Sequence, residues 1–294
     1  MKYLEKNPFI MVVLGVMGIS LSAIFVRFSE APSAVTAAYR LLWTVVIMTP
    51  MVLGKGDVRR ELAKVDRKTL LLSALSGLFL AIHFALWFES LQHTSVASST
   101  TIVNTEVIWV SLGFCFVLKG KLSAKAIATI VVAMIGSAMI ALADSSSDAH
   151  LYGDILALLA AMSVAVYMLI GRVLRATVST SVYTYIVYTA CAAVLVILCV
   201  AQGQGLFAYG WSPVIVGLLL SVFSTLMGHS VFAWCLKYFT PSFISTSKLC
   251  EPVVAAIIAG FLFNEVPGIM QLAGGVLILG GVYYYSRIER QNGE

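Results

Sequence analysis

The feature that most constrains this chain is a series of ten apolar segments, each long enough to cross a lipid bilayer. A hydrocarbon core about 30 Å thick needs about 20 apolar residues in a helix. Only 11% of the residues are charged, whereas soluble domains have about 25%. The sequence therefore predicts an all-α integral membrane protein with ten transmembrane helices. The segments lie at 8–27, 34–53, 69–91, 95–118, 124–143, 153–172, 180–201, 212–236, 241–263 and 267–286.

The distribution of Lys and Arg predicts how these spans are oriented, because cytoplasmic loops are enriched in basic residues. With the N-terminus in the cytoplasm, sixteen of the nineteen basic residues are cytoplasmic, and only Arg27 is external; Arg40 and Lys248 lie within spans. We therefore expect a multi-pass protein of the cell (plasma or inner) membrane with both termini in the cytoplasm. The basic residues are scattered between spans rather than gathered in a patch, which argues against a nucleic-acid partner.

The two halves of the chain match each other in one register. A shift of 145 positions aligns Met17 with Met162, Glu106 with Glu251 and Gly136 with Gly281. Because each half holds five spans, an odd number, the second half must be upside down relative to the first. The sequence thus predicts two inverted five-helix repeats, residues 1–147 and 148–294. In folds of this kind the substrate site lies near the bilayer midplane between the repeats, and alternating access follows.

The end of each repeat carries the residues that suggest a family. The segment "LKYFTPSFISTSKLCEPVVAAIIAGFLFNE" (236–265) has a Glu-Pro pair within a span, and "SLQHTSVASSTTIVNTEVIWVSLGFCFVLKGKLS" (90–123) is its first-half version. On these segments the chain resembles the EamA-type members of the drug/metabolite transporter superfamily, over nearly its whole length. The resemblance implies a carrier of amino acids, nucleotide-related compounds or other small metabolites, with a cavity walled mainly by spans 1, 3, 4, 6, 8 and 9. Two departures are Lys248, where the family usually has an apolar or small residue, and Val107, which replaces the proline after Glu106.

Ionisable side chains inside the spans are the strongest functional signal, because a charge at a helix centre costs about 2.5–3.5 kcal/mol on insertion scales. Glu106, Lys248 and Glu251 lie near the centres of their spans, and His83 and His229 lie somewhat off-centre. We therefore predict that these five side chains line a substrate-binding cavity rather than face lipid.

Aromatic side chains share the same helix faces. Trp87 recurs with His83 at helical spacing on span 3, and Trp109 recurs with Glu106 on span 4. Tyr167 lies one turn from a serine on span 6. We add Trp87, Trp109 and Tyr167 to the predicted substrate-binding site.

Span 9 holds a cation, an anion and a proline within five residues. Lys248 and Glu251 are three positions apart, so they share a helix face and can pair. Pro252 lacks an N–H group and crowds the carbonyl of Lys248, which predicts a helix kink. Two interpretations remain open here: a cation and an anion offered to the substrate, or a pair that only neutralises itself.

Glu106 is the main candidate for proton coupling. The residue that matches Lys248 in the first repeat is Val103, so Glu106 has no cation within one turn of its own span. Burial without a partner disfavours the carboxylate anion, and such a group can exchange a proton for a substrate cation. His83 and His229 are secondary candidates for proton coupling.

Arg40 and Glu89 lie closer to the external ends of spans 2 and 3. Two arrangements fit them: an ion pair between the two spans, or long side chains that extend outward to water.

The function predicted from these features is secondary transport of a small amphipathic metabolite, such as an amino acid or a derivative, by alternating access and with proton coupling. The alternative is an exporter or uniporter of organic cations, drugs or nucleobases; a channel fits less well, because nothing resembles a repeated filter. No enzyme motif such as HExxH or GxSxG occurs, and no cofactor or metal is expected. The glycine and alanine runs of spans 5 and 10 favour close helix packing and suggest a homodimer contact.

Overall fold

The computed structural model describes residues 8–26, 28–94, 96–143, 151–254, 257–258 and 268–293. Over these residues the secondary structure is helical, with no strand. The predicted boundary between the repeats, at 147–148, lies outside the described residues. The helices are α1 Pro8–Ser20, α2 Ser22–Val26, α3 Ser33–Leu53, α4 Gly56–Ala63, α5 Arg67–His93, α6 Val96–Asn104, α7 Glu106–Phe116, α8 Ala124–Ala143, α9 Leu151–Leu174, α10 Thr180–Ala201, α11 Ser212–Leu219, a π-helix Leu220–His229, α12 Ser230–Cys235, α13 Pro241–Lys248 and α14 Ile269–Gly293.

Eight stretches of the described residues are long and apolar enough to cross a membrane. They are the α1–α2 pair, α3, α5, α8, α9, α10, the continuous run from α11 through the π-helix to α12, and α14. The predicted all-helical membrane class is therefore confirmed. The fourth and ninth predicted spans are interrupted, and residues 255–256 and 259–267, which cover much of the ninth, lie outside the described residues.

The two interruptions fall at matching positions of the chain. The fourth predicted span contains α6 and α7, which are separated at Thr105, and in the ninth α13 ends at Lys248 before a turn at 249–250. Both turns are tight, since the Thr105 N–H donates to the Ile102 carbonyl at 3.0 Å and the Cys250 N–H to the Ser247 carbonyl at 3.2 Å. A shift of 145 positions puts Thr105 on Cys250.

A proline does not account for both breaks. Pro252 follows the second break, but Val107 stands at the corresponding place after the first. At the first break the Thr105 hydroxyl donates to the Ile102 carbonyl at 2.7 Å. Side-chain hydrogen bonds of this kind compete with the helical backbone ladder, so a threonine can help to interrupt the helix where proline is absent.

Close helix contacts organise the bundle. α5 packs along α9 and α10, α3 packs along α10 and α11, and α7 packs against α13. α8 packs along α14 through glycines: a Cβ atom on Gly136 would lie 2.5 Å from the Gly274 carbonyl, and one on Gly274 would lie 2.6 Å from the Gly136 carbonyl. Small residues let backbones approach closely in membranes. The glycines of spans 5 and 10 thus pack on each other within one chain. The homodimer contact stays a prediction, and it would have to involve the opposite faces of α8 and α14.

The predicted orientation can be tested on two exposed alanines. Ala208 lies in the loop between α10 and α11, which we expect outside, and Ala63 ends α4, which we expect in the cytoplasm. In intact cells a membrane-impermeant maleimide should label Ala208→Cys, whereas Ala63→Cys should react only after the cells are opened. The native cysteines are buried or half-buried and give a low background. The reverse labelling pattern would show that the orientation is wrong.

Candidate functional site

A buried ion pair joins the two interrupted helices. The Lys248 Nζ lies 2.6 Å from the Glu106 Oε1, and the two side chains are 11% and 4% exposed. Lys248 is the last residue of α13 and Glu106 is the first residue of α7. Cations are stabilised at helix C-termini and anions at helix N-termini. Each helix break therefore sets its charged residue at the helix end that favours that charge.

This pairing differs from the pairing expected within span 9. Glu251 is half-buried and makes no hydrogen bond or ion pair among the described residues, although it lies within electrostatic range of Lys248 and Glu106. The reason is the turn at 249–250, which ends the continuous helix on which Lys248 and Glu251 would share a face. The expectation that Glu106 has no fixed cation was wrong, because its partner comes from another helix rather than from its own span.

Lys248 also borders a small cavity inside the bundle. The cavity volume is about 10 Å³, which is room for about one water molecule. A cavity of this size is too small for a metabolite, so binding one at this place would need the lining helices to separate. The lining residues are Tyr167, Met168, His229, Phe232, Ala233, Leu236 and Lys248. The cavity thus brings together three of the predicted site residues and, through the ion pair, Glu106.

The two predicted histidines lie on either side of Phe84. The His83 Nδ1 lies 3.0 Å from the Ala160 carbonyl, so it is the protonated nitrogen that donates there. The His83 ring stacks on Trp87 with centroids 6.0 Å apart, and the edge-to-face pair of Phe84 and His229 has centroids 5.3 Å apart. Among the described residues, no group of His, Cys, Asp and Glu could hold a metal ion.

The two predicted tryptophans have buried donors without acceptors. The Nε1 atoms of Trp87 and Trp109 are buried and have no hydrogen-bond partner among the described residues. A buried N–H group without a partner costs free energy, so each of these two groups could accommodate an acceptor atom that the described residues do not supply. Trp109 follows Glu106 by one turn of α7 but does not border the cavity.

Arg40 on α3 is a buried cation that the predicted site did not include. It is 1% exposed, its Nε donates to the Thr225 hydroxyl at 2.7 Å, and one terminal nitrogen donates to the Ser22 hydroxyl at 3.4 Å. Its guanidinium lies 4.1 Å from the centroid of the Phe84 ring. No carboxylate lies within ion-pair distance of it among the described residues.

Neither expected arrangement holds for Arg40, whereas Glu89 does extend toward the surface. Glu89 is partly exposed and accepts a hydrogen bond from His93, with 3.1 Å between the atoms. Arg40 neither reaches Glu89 nor extends to water, because it turns toward the π-helix. The sequence signal was an arginine inside an apolar span, which by itself points to a functional site. The sequence did not show which residues Arg40 contacts, because its hydrogen-bond partners, Ser22 and Thr225, lie 18 and 185 positions away.

The π-helix sets the positions of Thr225 and His229. Its wider turns pair residues five apart, as when the Ser230 N–H donates to the Thr225 carbonyl. Side chains follow the same spacing, since the Thr225 hydroxyl donates to the Leu220 carbonyl at 3.3 Å. Stretches of π-helix are rare and occur frequently at functional sites. Ser221, Ser224, Thr225 and His229 share one buried face of the segment, at a spacing that an ordinary α-helix also produces, so the sequence pattern gave no signal for the wider turns.

Comparison with known proteins identifies the relatives of this chain. The model of the EamA-like transporter family matches residues 7–142 and 151–287. An uncharacterized transporter of Archaeoglobus fulgidus is 22% identical over 87% of this chain and 88% of its own length. Uncharacterized transporter YxxF of Bacillus subtilis (strain 168) is 23% identical over 92% of this chain and 85% of its own length. One solved crystal structure, 15% identical, has a TM-score of 0.78 over 98% of this chain and 99% of that one, so the two share a fold.

The Lys248–Glu106 ion pair predicts that the effects of substituting these two residues on the free energy of unfolding depend on each other. Removing one member of a buried ion pair leaves an uncompensated charge and costs about 3–5 kcal/mol, whereas removing both is often close to neutral. Lys248→Met and Glu106→Gln should therefore each lower the free energy of unfolding by about that amount, and the double variant should recover most of the loss. Titration with a denaturing detergent measures these changes.

The matched control combines Lys248→Met with Glu251→Gln. Because Glu251 makes no ion pair with Lys248, this double variant should remain as unstable as Lys248→Met alone. Recovery through Glu251 rather than Glu106 would show that the pairing within span 9 was the right one.

Proposed function

The chain belongs to the EamA-like transporter family, and on that premise we propose that it is a secondary carrier of a small amphipathic metabolite, such as an amino acid or a derivative. The observation that carries this proposal is the buried Lys248–Glu106 pair beside the small cavity inside the bundle. Hydrophobic replacement of such a pair is often neutral or stabilising, so stability alone does not explain it. Ionisable groups at membrane depth mark substrate and ion pathways.

Ten spans in two inverted repeats form the proposed framework of the carrier. Two observations support it: both helix breaks fall at the same register, and helices that match under the 145-position shift pack together, α3 with α10 and α8 with α14. Matching helices that meet in this way are expected beside a pseudo-two-fold axis. In that arrangement α7 and α13 approach the axis from the two repeats, and their separation opens the cavity to one side of the membrane at a time.

Arg40 favours a substrate with a carboxylate. A guanidinium has five N–H donors in a planar fork that matches a carboxylate, and Arg40 directs hydrogen bonds only to two hydroxyl groups among the described residues. An anionic group from the substrate would supply the missing negative charge. Glu251, which has no ion-pair partner among the described residues, suits the ammonium group of the same substrate, and the aromatic rings of Phe84, Trp87 and Tyr167 suit its apolar part.

The charges around Lys248 suit proton coupling. One ammonium group is shared electrostatically between two carboxyl groups, Glu106 at 2.6 Å and Glu251 farther away. The carboxyl group that is not paired with Lys248 can bind a proton or a cationic group of the substrate. We therefore extend the proposed coupling residues, Glu106, His83 and His229, to Glu251. His83 is the weakest of them, because its Nδ1 already donates to the Ala160 carbonyl.

The second candidate function is export or uniport of an organic cation. The observation in its favour is the aromatic lining, since a cation over the face of a Trp, Tyr or Phe ring is attracted to it. Arg40 and Lys248 oppose it, because they add positive charge to the same interior. The small volume of the cavity, about 10 Å³, opposes a channel, and a channel would show neither saturation nor counterflow of the solute.

Matched ligands distinguish the two cargo classes. Leucine and phenylalanine should raise the unfolding temperature of the purified protein, because a ligand that binds only the folded state stabilises it; the corresponding amines, 3-methylbutylamine and phenethylamine, should not. Arg40→Gln should abolish the response to both amino acids, whereas Arg40→Lys, which keeps the charge without the planar fork, should weaken it. Arg60→Gln, an exposed arginine in α4, is the control. Equal stabilisation by amine and amino acid would favour the organic-cation function.

Proton coupling is tested in liposomes with an imposed pH gradient. Uptake by the wild-type protein should respond to the gradient, and Glu251→Gln should lose this response while it retains substrate exchange, because a glutamine cannot carry a proton. Glu106→Gln should also lose the response, because Glu106 is the main proposed proton-carrying group and a glutamine cannot take its place. Glu89→Gln, which changes a partly exposed carboxyl group, should behave as the wild type does. Wild-type transport that ignores the gradient would mean a uniporter or an exchanger.

A further inference from the structure

A charged groove lies at the end of the α8–α14 helix pair, away from the cavity and the ion pair. Its volume is about 350 Å³, within the range of ligand pockets. Two cations from different helices, two tyrosines and a glutamine border it. The lining residues are Lys125, Tyr283, Tyr284, Arg287, Ile288 and Gln291.

The groove lies at the boundary between the hydrocarbon core and the lipid head groups. Lys125 is the second residue of α8, and Arg287 and Gln291 are in the last turns of the span formed by α14. Tyr283 and Tyr284 are 64% and 52% exposed, as expected for aromatic residues at a membrane interface. A ligand in this groove would therefore come from the head-group layer.

Within the described part of the chain, no ion pair neutralises the charge in the groove. Neither Lys125 nor Arg287 makes an ion pair among the described residues. Glu289, the one acidic residue of α14, is buried and accepts a hydrogen bond from the Thr240 N–H at 2.5 Å. The next cation, Arg290, is engaged elsewhere, with its guanidinium 4.2 Å from the centroid of Phe9.

The surface below the groove is apolar and exposed on both helices. Ile127 and Val131 on α8 are 50% and 49% exposed, and Val276 and Leu279 on α14 are 70% and 51% exposed. On α14, Val276 and Leu279 lie seven and four positions before Tyr283 and share its face, whereas on α8 the residue that continues the face of Lys125 is Val132, seven positions later and 38% exposed. The cations and the apolar stripes together match a molecule with an anionic head and hydrocarbon tails.

We propose that this groove binds the phosphate head group of an anionic phospholipid, with Lys125 and Arg287 as phosphate ligands. The glycine contact between Gly136 and Gly274 holds the two helices together, so the two cations are held near each other before the lipid arrives. The tyrosine hydroxyl groups and the Gln291 amide supply further donors. The acyl chains lie along the apolar stripes of α8 and α14.

The test measures lipid binding by native mass spectrometry of the purified protein, with phosphatidylglycerol and phosphatidylcholine of identical acyl chains. A basic residue near an anionic membrane surface contributes about 1 kcal/mol, or about fivefold in affinity. The wild-type protein should prefer phosphatidylglycerol by about 25-fold on that basis. The double variant Lys125→Gln with Arg287→Gln should lose this preference. Both side chains are exposed, so the fold should not change.

The matched control removes two exposed cations far from the groove, Arg59 and Lys64, by substitution with glutamine. This variant should keep the full preference for phosphatidylglycerol. An equal loss in both variants, or no preference in the wild type, would overturn the proposal. Displacement of the lipid by millimolar glycerol phosphate would also overturn it, since the site would then be one for free phosphate compounds.

A second copy of the chain is the competing occupant of this face. Native mass spectra report the oligomeric state in the same experiment. A dimer that binds no phosphatidylglycerol, and that becomes a monomer when Lys125 and Arg287 are replaced, would assign the groove to a protein interface instead. The experiment uses no transport substrate, so its outcome does not depend on the proposed cargo.

Discussion

An ion pair between two helix ends, inside a membrane-spanning bundle, is the contact on which the rest of the site depends. Lys248 closes α13, Glu106 opens α7, and their charged atoms are 2.6 Å apart. Isolated charges at this depth are costly, so the two helices must stay together or other charges must take their place. In the proposed function, a substrate with its own ammonium and carboxylate groups would be such a replacement and would link the opening of the cavity to occupancy.

Helix interruption is what makes this contact available. A continuous helix buries its carbonyl and N–H groups in its own ladder, whereas a break at membrane depth leaves some of them free, which is tolerated only beside protein or water. The breaks at Thr105 and at 249–250 provide such ends in both halves of the chain. In the eighth predicted span the π-helix also departs from the regular α-helical ladder, and there the Thr225 hydroxyl lies 2.7 Å from the Arg40 Nε. Local irregularity in three helices thus concentrates polar groups in one region.

Much of the candidate site was accessible from sequence because burying charge in a bilayer costs so much. Glu106, Lys248, His83 and His229 were identified from position alone, and all four are buried in the bundle. The sequence did not show which residues these side chains contact. Spacing rules describe neighbours on one continuous helix, so they suggested the Lys248–Glu251 pair and missed a partner 142 positions away.

The sequence by itself determined the membrane class, the apolar lengths of the spans and the register that relates the two halves. These are local or periodic properties, and they follow from how many consecutive residues lipid requires. Only the tertiary structure decided which carboxylate pairs with Lys248, that Arg40 turns inward to Thr225, and that the glycines of α8 and α14 meet within one chain. Each of these contacts joins residues more than a hundred positions apart. Their distances depend on how the helices pack, which no single span encodes.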